Sequence, residues 1–320
     1  MENIQREDIH LVAKHSNLSA NAIYAALRDQ VYPKAHAWHD FLRLFLLIFG
    51  VGFSLLGIVF FFAYNWADLP KFTKLGLVEG LLILLTGAAL YPRFSPQTRK
   101  IVLSGSALIV GLLFAVFGQI YQTGANAYDF FLAWTVFISI WVLIANFTPL
   151  WLFFLLLINS TLILYQQQVA ADWSPVLFNM ALALINAAAL CIGIGLSKSK
   201  TPRRIPTYFS NILSLASVSF ATLGIVIGIF DHDFTELAIA ASFTALGYTF
   251  ALRHAWKQGN GFYLAIVSFS LIIIASAILL DILEQLTSIL LVSGFLIGSV
   301  TYVVHLLIHL QKTKTHGTPA

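Results

Sequence analysis

The stretch Leu46–Phe62, LLIFGVGFSLLGIVFFF, carries no charged side chain and is long enough to decide the class of fold. A helix of about 20 apolar residues crosses the hydrocarbon core of a bilayer. Similar runs recur along the chain, which has 320 residues, 59% of them hydrophobic and only 10% charged, with a mean hydropathy of +0.84. A soluble domain has about 25% charged residues. The composition excludes an ordinary soluble domain, and the continuous apolar runs exclude a transmembrane barrel, whose strands alternate.

The apolar runs predict an all-α fold, a polytopic transmembrane helix bundle of ten spans. The predicted spans lie within residues 41–310, at 41–64, 72–91, 101–120, 128–145, 150–165, 175–196, 208–230, 235–252, 262–280 and 286–310. Pro149 separates the fourth span from the fifth, because proline interrupts a helix. Residues 1–40 are predicted to form a small soluble helical head in the cytosol, and residues 311–320 a disordered cytosolic tail.

The helical head has two interpretations. Ser19 suits the N-cap of a helix that continues with apolar residues at helical spacing. A helix-turn-helix DNA reader is one interpretation, but a third helix and a basic recognition face are missing. A short amphipathic segment at the membrane surface is the preferred interpretation.

The basic residues predict the orientation of the ten spans. With both termini in the cytoplasm, sixteen of the eighteen Lys and Arg residues fall on the cytoplasmic side, and only Lys71 and Lys74 fall outside. Membrane proteins carry this excess of Lys and Arg in their cytoplasmic segments. An error of one span would reverse the bias partway along the chain.

The first polar corner, Phe60–Gly76, joins the first two spans. Its candidate site residues are Asn65, Trp66, Asp68, Lys71 and Lys74. One interpretation is a rigid, capped loop in which Asp68 pairs with Lys71 and Pro70 starts the next helix. The other is a charged rim of an outward-facing pocket, since two lysines outside the cytoplasm call for an acidic or anionic partner.

Glu79 lies about two turns into the second predicted span. A charge at that depth costs a few kcal/mol and usually faces the bundle interior or a water-filled cavity. Glu79 is therefore a candidate proton, cation or pocket residue, or else a hydrogen-bonded structural residue. A cavity that reaches Glu79 from outside would favour transport, and a sealed Glu79 would favour a subunit role.

The second polar corner, Phe117–Trp134, joins the third and fourth spans. It is predicted to lie on the same side of the membrane as the first corner. Its candidate site residues are Gln119, Tyr121, Gln122, Asn126 and Asp129. If the two corners meet, Glu79, Lys71, Gln119 and Asp129 would line one outer pocket. This convergence is a hypothesis, because adjacent hairpins need not pack together.

Other motifs carry little functional information. Cys191 is the single cysteine, so an intramolecular disulfide is excluded. The histidine pairs His36/His39 and His305/His309 lack further metal ligands. Asn159 begins a glycosylation pattern within a span. We expect no metal site, no cofactor, no catalytic residue and no nucleic-acid partner.

The segments FFFAYNWADLPKFTKLGLVEG and FGQIYQTGANAYDFFLAW resemble the motifs of a bacterial family of integral membrane proteins, domain of unknown function 2157. The resemblance covers the head and the first four or five spans. It implies a multi-pass protein of the bacterial inner (plasma) membrane without an established activity. It also implies a partner, a second membrane protein with a GDYxxLxY motif.

Three functions remain open at this stage. The first is a non-enzymatic subunit or scaffold of an envelope membrane complex, which contacts its partner through the outer polar corners. The second is a transporter or channel for a small solute or ion, with Glu79 as the intramembrane polar site. The third is a membrane enzyme acting on a lipid-linked substrate.

Overall fold

The computed structural model describes residues 19–28, 35–65, 69–122, 124–197, 205–258, 260–283 and 285–316, together with residues 9 and 13. These residues form helices and connectors only. The eleven helices of this described part are α1 (Ala20–Ala26), α2 (Ala35–Asn65), α3 (Lys71–Ala89), α4 (Pro96–Tyr121), α5 (Ala127–Ala145), α6 (Thr148–Gln168), α7 (Pro175–Ser197), α8 (Thr207–Asp231), α9 (Phe234–Gln258), α10 (Gly261–Ile282) and α11 (Gln285–His316).

Ten of the described helices, α2 to α11, are long and apolar enough to cross a membrane. The predicted all-α class and the count of ten candidate spans are confirmed. Each of the ten apolar runs coincides with one helix, because a chain in lipid must satisfy its backbone groups within each segment. The orientation of the termini stays a prediction.

Local sequence explains where several helices begin and end. The Ser19 side chain accepts a hydrogen bond from the backbone N–H of Ala22 at 3.3 Å, as expected for the N-cap of α1. Ser95 caps α4 in the same way through the N–H of Thr98. Helix α5 ends at Asn146, whose φ of 41° is the left-handed conformation of a helix C-cap.

The C-terminal helix extends into the sequence of the predicted tail. Helix α11 continues to His316, whereas the tail was predicted to begin at residue 311. Residues 311–316 contain neither glycine nor proline, so no residue there stops the helix. Beyond residue 310, the first glycine or proline in the sequence is Gly317.

The chain divides into two compact units. Unit one comprises Met1–Gly124 and Leu143–Ala145, and unit two comprises Ala125–Val142 and Asn146–Ala320. In unit one, α3 and α2 pack against α4 around the buried side chains of Val78, Ile109 and Val116.

Unit two has its main core among α7, α8, α9 and α10. The buried apolar residues of that core are Val176, Met180, Ala183, Ala221, Ile225, Ile229, Ala240 and Ala277. Helices α7 and α8 approach closely at two glycines, since a Cβ on Gly224 would lie 3.2 Å from the carbonyl oxygen of Val176, and one on Gly228 would lie 3.4 Å from a methyl group of Val176. Small residues permit such close approach between membrane helices.

We expect Gly224→Ala to destabilise the protein by about 1–2 kcal/mol, because the added methyl group must push α7 away from α8. Gly294→Ala on α11 is the matched control. A Cβ there meets nothing within 4 Å, so alanine should be neutral or stabilising by about 0.5 kcal/mol. Unfolding by SDS in mixed micelles measures both, and equal midpoints for the two variants would contradict the close approach at Gly224.

Candidate functional site

The first polar corner is only partly described. Trp66 and Asp68 lie outside the described residues, and the proposed ion pair between Asp68 and Lys71 lies outside with them. Asn65 is the last residue of α2, and Lys71 is the first residue of α3 after Pro70. The Lys71 side chain is exposed. The Lys74 side chain is 9% exposed and has an interaction partner.

Glu79 lies on α3, about 12 Å along the helix from Lys71. Its side chain is exposed, whereas the neighbouring Val78 is completely buried in the core of unit one. Within the described residues, Glu79 has no hydrogen bond and no ion pair. Its carboxyl group therefore faces away from the core of its own unit.

A groove of about 300 Å³ runs between α2 and α3. Its lining is apolar apart from one serine: Leu46, Leu47, Gly50, Val51, Ser54, Leu55, Ile58, Leu81 and Leu85. None of the candidate site residues lines this groove. This groove does not reach Glu79, whose role stays a prediction.

The second polar corner is divided between the two units. The first half of this corner belongs to unit one, where Gln119 and Tyr121 lie in the last turn of α4 and Gln122 follows it. All three side chains are exposed. The Tyr121 ring packs on Phe117, with ring centroids 4.6 Å apart. Gln122 ends α4 in the left-handed conformation, with φ of 43°. These contacts fix the end of α4.

The remaining residues of the second corner start α5 in unit two. The backbone N–H of Asn126 donates a hydrogen bond to Asp129 Oδ2 at 3.0 Å, which satisfies one of the free donors at the helix start. The backbone N–H of Tyr128 donates to Gln168 Oε1 at 3.1 Å. Asp129 is thus part of a helix cap, and Asn126 and Asp129 are the two candidate residues that the described structure brings together.

Acids of unit two also serve as caps and contacts. Asp233 Oδ1 accepts the backbone N–H groups of Thr235 and Glu236 at 3.0 and 3.2 Å, at the start of α9. The Glu236 carboxylate accepts a hydrogen bond from the Ser174 hydroxyl, which precedes α7. Among the residues that the structure describes, no group of three or more His, Cys, Asp or Glu side chains is arranged to hold a metal ion.

A pair of buried amides in unit two was not predicted from the sequence. Asn186 Nδ2 donates to Asn159 Oδ1 at 2.9 Å, and Asn159 Nδ2 donates back at 3.3 Å. Each amide also donates to a backbone carbonyl of its own helix, that of Leu155 or Leu182. All four side-chain N–H groups of the pair therefore donate hydrogen bonds. The two bonds between the amides connect α6 to α7. Asn159 is 8% exposed, which agrees with discounting it as a glycosylation site.

A cluster of three hydroxyl groups joins α8, α9 and α10. Ser270 Oγ lies 2.6 Å from Thr222 Oγ1 and is also hydrogen-bonded to Tyr248 Oη. Thr222 in turn donates to the carbonyl oxygen of Val218 at 2.7 Å. The three side chains are at most 8% exposed. In the sequence, this cluster and the amide pair show only as polar residues within apolar runs. Such a pattern does not identify the hydrogen-bond partner of each residue.

The buried polar side chains described in unit two are all uncharged amides or hydroxyls. They are Thr135, Asn159, Thr161, Asn186, Ser214, Thr222, Thr244, Ser270 and Ser276. These groups hold helices together and offer no charged nucleophile or acid–base pair.

Residues 15–151 match the family described as "Predicted membrane protein (DUF2157)". The match covers both polar corners, and it confirms the resemblance seen in their motifs. No curated protein and no solved structure matches the chain. Together with the ten candidate spans, the match indicates a multi-pass membrane protein, and the description of the matched family names no activity.

Proposed function

We propose that this protein is a non-enzymatic subunit or scaffold of a membrane complex in the bacterial inner membrane, and that it contacts its partner through the outer polar corners and the adjoining face of α3. The observation that carries the proposal is the exposed carboxyl group of Glu79. Ionisable groups within spans usually face other protein groups or a water-filled cavity, because lipid cannot satisfy them. A second protein that covers Glu79 would supply such a group.

The surroundings of Glu79 on α3 suit a helix of another chain. Gly76 and Gly80 lie one turn apart on this side of α3, and a Cβ on either would meet nothing within 4 Å. Membrane helices associate closely where small residues line the contact, and polar side chains then form hydrogen bonds between the helices. The partner helix would offer a donor, such as an amide or a basic group, at the depth of Glu79.

The family resemblance suggests the kind of partner. Its members are found beside a second membrane protein with a GDYxxLxY motif, and a tyrosine-rich partner of this kind has the hydroxyl donors that the exposed Gln119, Tyr121 and Gln122 could bind. The inner membrane location follows from the same resemblance and remains part of the proposal.

The test is recovery of the partner with the tagged, full-length protein from its native membrane in a mild detergent, followed by mass spectrometry. Glu79→Leu should reduce the recovered partner about tenfold, because an intramembrane polar contact contributes about 1–2 kcal/mol. The variant itself should accumulate normally, since leucine is cheaper than a carboxyl group in lipid.

Leu156→Ala is the control, because Leu156 is also an exposed leucine of a candidate span, at 58%, but it lies on α6 rather than on the proposed contact face of α3. Its partner recovery should equal that of the wild type. A partner that Glu79→Leu retains in full would contradict a contact at Glu79. A protein that is recovered alone and monodisperse would contradict the subunit proposal, and ion and solute flux in liposomes would then test transport.

A further inference from the structure

Helix α9 has one apolar track that the rest of the described structure leaves uncovered. The track consists of Ile239, Phe243, Leu246 and Phe250, which are 42–72% exposed. Their spacing of four, three and four residues places them on one face of the helix. Ala240, Thr244, Tyr248 and Ala255 lie on the packed face and are at most 8% exposed. The track is a defined surface that faces away from unit two.

The length of the track fits one leaflet of a bilayer. Residues 239–250 extend about 17 Å along a helix, at 1.5 Å per residue. Half of the hydrocarbon core is about 15 Å thick. An acyl chain of ordinary length would therefore lie along this track from one end to the other.

The same face of α9 ends in two basic residues. Arg253 and Lys257 continue the three- and four-residue spacing beyond Phe250, and both side chains are exposed. Within the described residues neither has a hydrogen bond or an ion pair. Arg99 of unit one differs, because its guanidinium group donates to the carbonyl oxygen of Pro92 at 3.1 Å. The charges on Arg253 and Lys257 are thus available to an anion.

The composition around this end is basic and aromatic. From residue 237 to residue 280 the chain contains no Asp or Glu, so no nearby acid in the sequence balances the two charges. Trp256 is 64% exposed beside them, as tryptophans are at the boundary between hydrocarbon and headgroups. The His254 ring lies between the rings of Phe250 and Tyr263, with centroids 6.3 and 6.2 Å away. This contact links the track to the start of α10.

We propose that this face of α9 is a binding site for an anionic phospholipid, with the acyl chain on the track and the phosphate between Arg253 and Lys257. The two basic side chains are one helical turn apart, a separation of about 6 Å that one phosphodiester can bridge. Basic residues at the membrane surface each favour an anionic lipid by a factor of about five. The inference does not depend on the subunit role proposed for the α3 face.

A helix of another protein is the competing occupant of the track. Contacts between membrane helices favour small residues, which let the backbones approach. The track instead presents isoleucine, two phenylalanines and leucine, and its charged end lacks an acid. Large apolar side chains beside a basic end without an acid suit an anionic lipid better than a helix.

The experiment measures quenching of Trp256 fluorescence in the purified full-length protein, reconstituted with phospholipids whose acyl chains are brominated near the headgroup. A Trp256→Phe variant supplies the signal of the other tryptophans for subtraction. Brominated phosphatidylglycerol should quench Trp256 at a mole fraction about tenfold lower than brominated phosphatidylcholine. The double variant Arg253→Gln/Lys257→Gln should lose this preference and keep the thermal unfolding midpoint of the wild type.

Arg93→Gln is the charge-matched control, because Arg93 is an exposed arginine of unit one, and it should retain the preference. Equal quenching by the two lipids would overturn the proposal. Loss of the preference in about 20 mM inorganic phosphate, far above the concentration at which weak phosphate sites fill, would identify a free-phosphate site instead and overturn it. Failure of both lipids to reach Trp256 would show that protein covers the track, which would also overturn it.

Discussion

Replacing Asn186 by leucine should destabilise the protein by about 2–3 kcal/mol. The substitution leaves the Asn159 amide buried without its partner, and an unsatisfied buried polar group costs about 1–3 kcal/mol. Asn186 is 1% exposed, so water cannot replace the lost hydrogen bonds without opening the bundle. Leucine has nearly the shape of asparagine, which keeps the change in packing small. The SDS concentration at the unfolding midpoint in mixed micelles measures the effect.

The double variant Asn159→Leu/Asn186→Leu should be more stable than the sum of the single effects predicts, by about 1–2 kcal/mol, because no polar group is then left unpaired. Asn211→Leu on α8 is the matched control. Its side-chain oxygen is buried without a hydrogen-bond partner in the described structure, so leucine there should cost little. Strict additivity of the two single substitutions would show that the amides do not depend on each other.

Replacing Ser270 by alanine should destabilise the protein by about 2 kcal/mol. Ser270 is the central hydroxyl of the cluster, so alanine removes its hydrogen bonds to both Thr222 and Tyr248. The Tyr248 hydroxyl group then stays buried with only a long contact of 3.4 Å to Thr222. Tyr248→Phe should cost less, about 1 kcal/mol, because it removes one donor and leaves the bond between Ser270 and Thr222 in place.

Ser276→Ala provides the comparison for Ser270→Ala on the same helix. Ser276 is also buried, but its hydroxyl bonds only to the carbonyl oxygen of Ile272 within α10. We expect an effect below about 0.5 kcal/mol, since such bonds within one helix add little stability. If the two serine variants unfold at the same SDS concentration, the contacts between helices contribute nothing.

The number and placement of the spans could be predicted because lipid imposes a simple rule on the backbone. Each segment must satisfy its own hydrogen bonds and match the bilayer thickness, so apolar length alone locates a helix. Pro149 separated two spans that otherwise form one apolar run. Helix α11 continues over residues 311–316, where the sequence is polar but contains no helix-breaking residue.

The direction of each side chain was harder to predict. Helix α3 is apolar nearly all round, so its sequence has no periodic pattern that shows which side faces the core. For the same reason the sequence does not show that Val78, and not Glu79, takes the buried position in unit one. The partnership of Asn159 with Asn186 also has no sequence signal, because it depends on how α6 and α7 pack over a separation of 27 residues.

The neutral polar groups inside unit two have a consequence for an energised membrane. One elementary charge moved across the bilayer changes energy by about 2.3 kcal/mol for every 100 mV. Amides and hydroxyls, such as those of Asn186 and Ser270, carry no net charge, so the transmembrane voltage exerts almost no force on the buried polar groups described in unit two. The packing of unit two should be the same in polarised and depolarised cells. A voltage response would have to begin at charged residues near the membrane surfaces or at Glu79.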